Sequence, residues 1–288
     1  MTIEIQILPK NNLIAYICHE MQKKVVIITG ASSGIGKACA EVFAAKGYVV
    51  VLIGRSIDKL KIVEQNLLSN GAEVLVIKAD ISIESDCKML VEETISKYNR
   101  IDVLINNAGL SMRALFADLD LKVIRQLMDT NFWGAVFCTK YSLPYLIKQK
   151  GSVVAISSIA GKKGLPGRTG YSASKFALEG FMESLRTENL KNDLHVLVAC
   201  PGFTATEIRN TSLTANGTSQ GESPRDESKM MSASDVASHI FEAVHHRKRD
   251  LLLTGNGKIT VWLNKFFPSW MDKVVFKHMA KEPGSPFK

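Results

Sequence analysis

The chain has few of the residues needed to cross a membrane, hold a metal or build a disulfide scaffold. No run of about 18 uninterrupted apolar residues occurs, the length a helix needs to span a bilayer. Cysteine is scarce and scattered: Cys18, Cys39, Cys87, Cys138 and Cys200 form no Cys-x-x-Cys pair and are odd in number. That pattern argues for free, mostly buried thiols in a reducing compartment, so a cytoplasmic location is expected. A His-Glu-x-x-His stretch is also missing, and no metal site is expected. The first twenty residues lack the basic start and apolar core of a signal peptide. The glycosylation-type triplets at Asn210 and Asn216 therefore read as chance matches in a polar loop.

Positive charge, by contrast, is in excess, at a formal +8. The Lys and Arg residues are spread along the chain, and the one dense cluster, His245 to Arg249, is short. No helix-turn-helix, zinc-finger or RNA-binding signature surrounds it, so no nucleic-acid partner is expected. An anionic cofactor or an anionic membrane surface would use the same charge. Hydrolase signals also fail. "GTSQG" (217–221) follows no strand, and "SASK" (172–175) lacks the partner segments that its chemistry needs.

What the chain does have is rhythm. Short runs rich in Val, Ile and Leu recur as VVIIT (25–29), VVVLI (49–53), VLVIK (74–78), DVLIN (102–106), SVVAIS (152–157), HVLVAC (195–200) and DLLLT (250–254). Continuous apolar runs without polar alternation indicate strands covered on both faces, as in a parallel sheet. Segments of helical length and amphipathic spacing separate them, among them 35–46, 58–70, 84–98, 119–149 and 171–191. The pattern predicts a single α/β domain over 21–255, a doubly wound parallel sheet of about seven strands with helices on both faces. Ligands of such sheets bind outside the carboxyl ends of the strands.

Three segments fall outside this rhythm. Residues 1–20 are expected to be an extension before "MQKKVVIITG". Residues 203–231 form a polar loop of the length typical of a lid or binding loop. Residues 256–288 interleave Trp262, Phe266, Phe267, Trp270 and Phe276 with Lys258, Lys265, Lys273 and Lys277. Two readings of this last segment stand. Two short helices split by Pro268 would lay aromatics into a membrane interface and lysines against headgroups, or the aromatics pack as ordinary core against the sheet or a neighbouring subunit.

The strand ends carry the chemistry. The first strand runs into "TGASSGIGKA", with Gly30, Gly34 and Gly36 between a buried strand and a helix start. Glycines there allow a tight turn and let backbone amides approach a pyrophosphate. The spacing is Gly-x-x-x-Gly-x-Gly, not the Gly-x-Gly-x-x-Gly of the standard fingerprint. The fourth strand ends in "NNAG" (106–109), the fifth in "ISSIAG" (156–161) and the sixth in "CPGFTAT" (200–206), where Pro201 and Gly202 turn the chain and Thr204 and Thr206 offer polar contacts. In "YSASK" (171–175), Tyr171 and Lys175 lie one helical turn apart on one face. A fixed positive charge favours phenolate, so the pair reads as a tuned general acid/base. Ser158 is near enough in sequence for a short loop to bring its hydroxyl to the same substrate oxygen.

Together these motifs resemble the short-chain dehydrogenase/reductase family over roughly residues 21 to 255. The glycine turn, with Ser32, Ser33 and Ile35, matches the family's cofactor turn. Asn107, Ala108 and Gly109 match its fourth-strand motif, and Asn131, Ser158, Tyr171 and Lys175 its catalytic tetrad. The resemblance implies a nicotinamide-dependent oxidoreductase in which Tyr171 supplies a proton and Ser158 polarises a carbonyl. Lys175 would lower the phenol's pKa and bind the nicotinamide ribose, and Asn131 would hold a water on a proton path. It also implies an adenine-side role for Asp80 and Ile81, a nicotinamide-side role for Pro201 and Gly202, and a homodimer or homotetramer.

The second strand ends Gly54-Arg55-Ser56, with no carboxylate to bind a ribose 2′-hydroxyl. Arg55 could pair with a 2′-phosphate, so NADP(H) is expected over NAD(H). Ser111, Met112, Arg113, residues 160–168, the polar loop and the tail are expected to shape the substrate pocket. Their apolar character suggests a steroid-like, acyl or sphingoid-type ketone. The alternatives are a 3-oxoacyl thioester reductase, whose relatives end soon after the seventh strand, and a non-catalytic dinucleotide-binding regulator, which would be expected to lack a tetrad member.

Overall fold

The computed structural model describes residues 22–221 and 230–287. The expected leader, 1–20, lies outside the described residues, as do 222–229 of the polar loop. Strands β1 (Val25–Thr29), β2 (Val49–Gly54), β3 (Val74–Lys78), β4 (Val103–Asn106), β5 (Ser152–Ile156), β6 (His195–Cys200) and β7 (Asp250–Leu252) form one sheet in the order 3-2-1-4-5-6-7. Every neighbouring pair is parallel. The expected doubly wound sheet is therefore what the chain forms.

Helices fill the crossovers in chain order: α1 (Gly34–Ala45), α2 (Ile57–Ser69), α3 (Glu84–Tyr98), α4 (Leu121–Met128), α5 (Gly134–Lys148), α6 (Thr169–Glu188) and α7 (Ala233–His245). The apolar runs are continuous because both sheet faces are covered. Alternate residues of one strand enter different cores. Ile27, Val51, Leu104, Val153 and Val198 pack with Leu90 of α3, Cys138 of α5 and Met182 of α6. Val26, Ile28, Leu52, Ile105 and Val154 pack with Phe43 of α1, Leu60 of α2 and Ile240 of α7. The stretch expected as one helix over 119–149 is α4 and α5 joined through a π-helical turn, Asp129–Trp133. Such turns concentrate at functional sites.

The polar loop is anchored in its described part. Leu213, buried, bridges to Met112 and to Ser219, and Thr204 bridges to Met231. Leu213 packs with Met112, Val123 and Leu127, and this apolar contact fixes the loop against α4.

After β7, helices α8 (Gly255–Phe266) and α9 (Pro268–Ala280) meet at Pro268, the first residue of α9. Proline fits there because the first helical residue needs no N–H partner. The stripe of α9 that faces the domain is Met271, Val275 and Met279, packed on Leu165, Leu263 and Phe287. Trp262, Phe266, Phe267, Trp270 and Phe276 remain 49–59% exposed. The aromatics are thus not core of this chain, and the apolar residues that seat the tail are two methionines and a valine. Among the described residues no helix is long and apolar enough to cross a membrane.

Candidate active site

The strand order reverses between β1 and β4, and the cleft opens outside the carboxyl ends at that point. Gly30, at φ 65°, makes the turn after β1; a Cβ there would lie 2.8 Å from Ala108 Cα. A Cβ on Gly36 would stand 2.2 Å from Gly30 O, so this glycine lets α1 press against the turn. Asn107 staples the turn from β4: its side-chain amide donates to Thr29 O at 2.9 Å and Gly30 O at 3.2 Å. Thr29 Oγ1 in turn accepts from the backbone N–H groups of Asn107 and Ala108.

A cavity of about 510 Å³ runs from the end of β2 to the start of α6. Gly30, Ser32, Ser33, Gly34 and Ile35 line its middle. Ser33 occupies the N-cap position of α1 without a side-chain cap bond, which leaves the helix's first-turn amides for a ligand. Arg55, Ser56, Asp80 and Ile81 line one end. Lys59, which the sequence reading did not single out, joins them there. Ser56 caps α2, so the positive end of that helix faces the same corner. The Asp80 carboxylate is engaged locally, accepting from Ser82 N and Oγ.

Asn107, Ala108, Gly109, Pro201, Gly202, Thr204 and Thr206 line the other flank. Thr204 Oγ1 donates back to Gly202 O. Gly36 does not line the cavity; it acts behind the turn. The set fits a dinucleotide: a glycine cradle that a Cβ at Gly30 would fill, a free helix N-terminus for the pyrophosphate, and Arg55 and Lys59 at the β2 end.

At the substrate end, Ser158, Tyr171 and Lys175 share the cavity wall. Ser158 starts a short turn, its Oγ accepting from Ala160 N, and its hydroxyl shares the cavity wall with the Tyr171 phenol. Burial pushes the phenol's pKa up; the neighbouring Ser158 hydroxyl and then the Arg168 guanidinium pull it back. Lys175 Nζ sits 5.9 Å from the Tyr171 ring centroid and donates to Ile156 O at 2.8 Å. Burial lowers its pKa to about 8, opposed by Cys200 and Glu179. Besides Lys175, expected to ease phenol ionisation, Arg168 stands on the same cavity wall as a second cation that favours the phenolate. The available signal was position: Arg168 precedes Tyr171 by three residues and stands at the N-cap of the helix whose first turn carries Tyr171.

Asn131, expected to hold a water on a proton path, has its side chain bonded to the protein itself. It is buried in the π turn and does not line the cavity. Its Oδ1 accepts from Leu110 N at 2.7 Å, and its Nδ2 donates to Leu110 O and Ser174 Oγ, both at 2.9 Å. With both amide protons engaged, the side chain braces the loop after β4 against α6. Gly109 keeps a narrow gap beside it, since a Cβ there would lie 3.2 Å from Asn131 Oδ1 and 3.5 Å from Lys175 Nζ.

Of the expected pocket residues, Ser111 lines the cavity, Met112 is core and Arg113 turns to the tail. Leu165 and Arg168 from 160–168 and Phe203 from the polar loop also line the cavity, and Leu110 adds to the wall.

A doubly wound sheet with a glycine cradle and a Ser-Tyr-Lys cluster at one cleft defines a dinucleotide-dependent oxidoreductase. The family model for short chain dehydrogenase matches residues 24–217. The chain belongs to the short-chain dehydrogenase/reductase family. It is 36% identical over 263 residues to the dehydrogenase/reductase SDR family protein 7-like of Dictyostelium discoideum, covering 89% of this chain and 82% of that one. It is 37% identical over 270 residues to dehydrogenase/reductase SDR family member 7B of Rattus norvegicus, covering 91% and 83%. The 11-beta-hydroxysteroid dehydrogenase-like 4A of Arabidopsis thaliana is 34% identical, covering 87% and 84%. Among solved structures, a short-chain dehydrogenase/reductase from Burkholderia phymatum in complex with NAD superposes with a TM-score of 0.78 at 25% identity, over 87% of this chain and 96% of that one.

Proposed function

We propose that the chain reduces the carbonyl of an apolar ketone with NADPH, or oxidises the corresponding secondary alcohol, with Tyr171 as the proton donor. The observation that carries this reading is the grouping of Ser158, Tyr171 and Lys175 on one wall of the cavity that holds the glycine turn, with Lys175 Nζ 5.9 Å from the Tyr171 ring centroid. The bound nicotinamide would supply the hydride. Ser158 orients the carbonyl oxygen, and Tyr171 gives its proton to that oxygen as negative charge develops. Lys175 binds the cofactor ribose, and Asn131 holds the cavity wall beside it.

The β2 end supports NADPH over NADH. It offers Arg55, Lys59 and the start of α2; of the carboxylates in the wall, Asp80 is bonded to Ser82 and Glu207 is paired with Lys59 at 3.8 Å. Leu110, Leu165 and Phe203 in the wall support an apolar substrate, and the steroid-dehydrogenase name of the Arabidopsis relative favours a bulky one. Self-association is supported by the exposed Trp133 and Phe176. The exposed aromatics of α8 and α9, interleaved with lysines, support a peripheral position on an anionic membrane, and the buried free thiols Cys39, Cys87, Cys138 and Cys200 suit its cytoplasmic face.

The test is cofactor oxidation with a panel of steroid-like, acyl and small ketones. Tyr171→Phe is expected to lower turnover about 10²–10⁴-fold while NADPH affinity is kept. Near-normal turnover by the variant overturns the assignment. Activity confined to 3-oxoacyl thioesters would favour that narrower reductase, and NADPH binding without turnover of any ketone would favour a regulator.

A further inference from the structure

The C-terminal extension reaches the Tyr171 side of the cleft through one carboxylate. Glu282, just after α9, is buried, with Oε2 3.5 Å from Arg113 Nη2 and 4.0 Å from Arg168 Nη2. Arg113 also donates to Pro283 O at 2.7 Å. Arg168, buried in turn, donates from Nη1 to Ser111 Oγ at 3.2 Å and to Met112 O at 3.5 Å. It occupies the N-cap position of α6, and Tyr171 lies in the first turn of that helix. Both side chains line the same cavity.

The Arg168 guanidinium shares the cavity wall with the Tyr171 phenol and favours its ionised form. Lys175 lies over the ring, and Ser158 is a neutral partner. Cys200 is held as a thiol by burial, and Glu179 behind it is paired with Lys162 at 2.7 Å. The amino end of the 20-residue α6 adds potential of the same sign as Arg168.

We propose that Arg168 and Glu282 are a positioning pair through which the C-terminal extension controls proton transfer at Tyr171, an inference that rests on Tyr171 being the proton donor. The guanidinium favours the phenolate, and the tail carboxylate holds that guanidinium in place and tempers its charge. Ser111 and Met112 also hold Arg168, so it keeps its position when Glu282 loses only its charge. The two halves of the pair therefore act with opposite sign.

The experiment encodes 3,5-difluorotyrosine at position 171 of the full chain and titrates it by ¹⁹F NMR, which reads this one phenol whatever the activity. Arg168→Met is expected to raise the phenol's pKa by roughly one unit or more, the range set by a nearby opposite charge. Glu282→Gln is expected to lower it. Arg168→Lys should restore most of the wild-type value. The double variant Arg168→Met with Glu282→Gln, which removes both charges together and spares the fold, should fall between the single variants. Shifts of equal sign in the two single variants, or none in Arg168→Met and the double variant, overturn the pairing. Failure of the underlying reading shows separately, as Tyr171→Phe enzyme that still reduces ketones while the titrations move as expected.

Discussion

The side-chain amide of Asn107 donates to Thr29 O at 2.9 Å, fastening the loop after β4 to the turn after β1. The same nitrogen reaches Gly30 O, and no other side chain of the described residues bonds this carbonyl pair. Asn107→Ala should therefore loosen the cofactor cradle and leave the Ser158–Tyr171 contact alone. Losing buried partners of this kind costs about 1–3 kcal/mol. Weaker NADPH binding in calorimetry, with a lowered melting temperature, is expected; unchanged affinity would show that the turn is held without Asn107.

Arg55 gives the second prediction. The double substitution Gly54→Asp with Arg55→Ala removes a phosphate partner and adds repulsion. A Cβ on Gly54 would lie 3.4 Å from Leu60 Cδ2, an ordinary contact, so the backbone tolerates the change. Charge-assisted bonds contribute roughly 1.5–3 kcal/mol each, so NADPH preference over NADH should fall at least about tenfold. Equal ratios of the two dissociation constants before and after would show that Arg55 does not read the phosphate.

Lys175 should cost stability at neutral pH. Its pKa falls from 10.5 to about 8 on burial. Between those values the unfolded chain binds more protons than the folded one, so stability rises with pH across the window. Relative to Lys175→Met, the wild type should gain up to roughly 3 kcal/mol between pH 8 and 10.5. Urea unfolding of both proteins across that range measures it, and parallel curves would show that the ammonium is not desolvated. The variant should also lose turnover and cofactor affinity.

The outer face of α8 and α9 gives the fourth. Trp262, Phe266 and Trp270 are more than half exposed, so replacing all three with Ser should leave the fold and NADPH binding intact. Binding to vesicles that contain anionic lipid should fall sharply, and turnover of bulky apolar ketones with it. Retained vesicle binding would assign the aromatic face to another partner. Deleting the tail from Gly257 is a harsher change, since Met271, Val275 and Met279 are buried against Leu165.

Much of this was legible in the sequence because the signals are local. A strand buried on both faces must be apolar at every position, which is why VVIIT and HVLVAC announce themselves and coincide with β1 and β6. Gly30 and Gly36 are required by backbone approach within one turn, and Tyr171 and Lys175 by one helical step. Less legible was α7, whose clearest mark is Ser232 capping Asp235 N. The amphipathic tail showed its break at Pro268 but not its inward face, because alternating aromatics and methionines offer two apolar stripes.

The sequence by itself determined the strands of a parallel sheet, the helices between them and the identity of the groups at the strand ends, since each depends on neighbours within a few residues; the strand order came from the tertiary structure. Tertiary structure alone decided what those groups touch. It turned Asn131 into a brace between Leu110 and Ser174, added Lys59 to the Arg55 corner and brought Glu282 of the tail to Arg113 and Arg168. Contacts between residues this far apart leave no periodicity in the chain. They arise when packing of the two apolar cores brings the strand ends, the anchored loop and the C-terminal helices to one edge of the sheet.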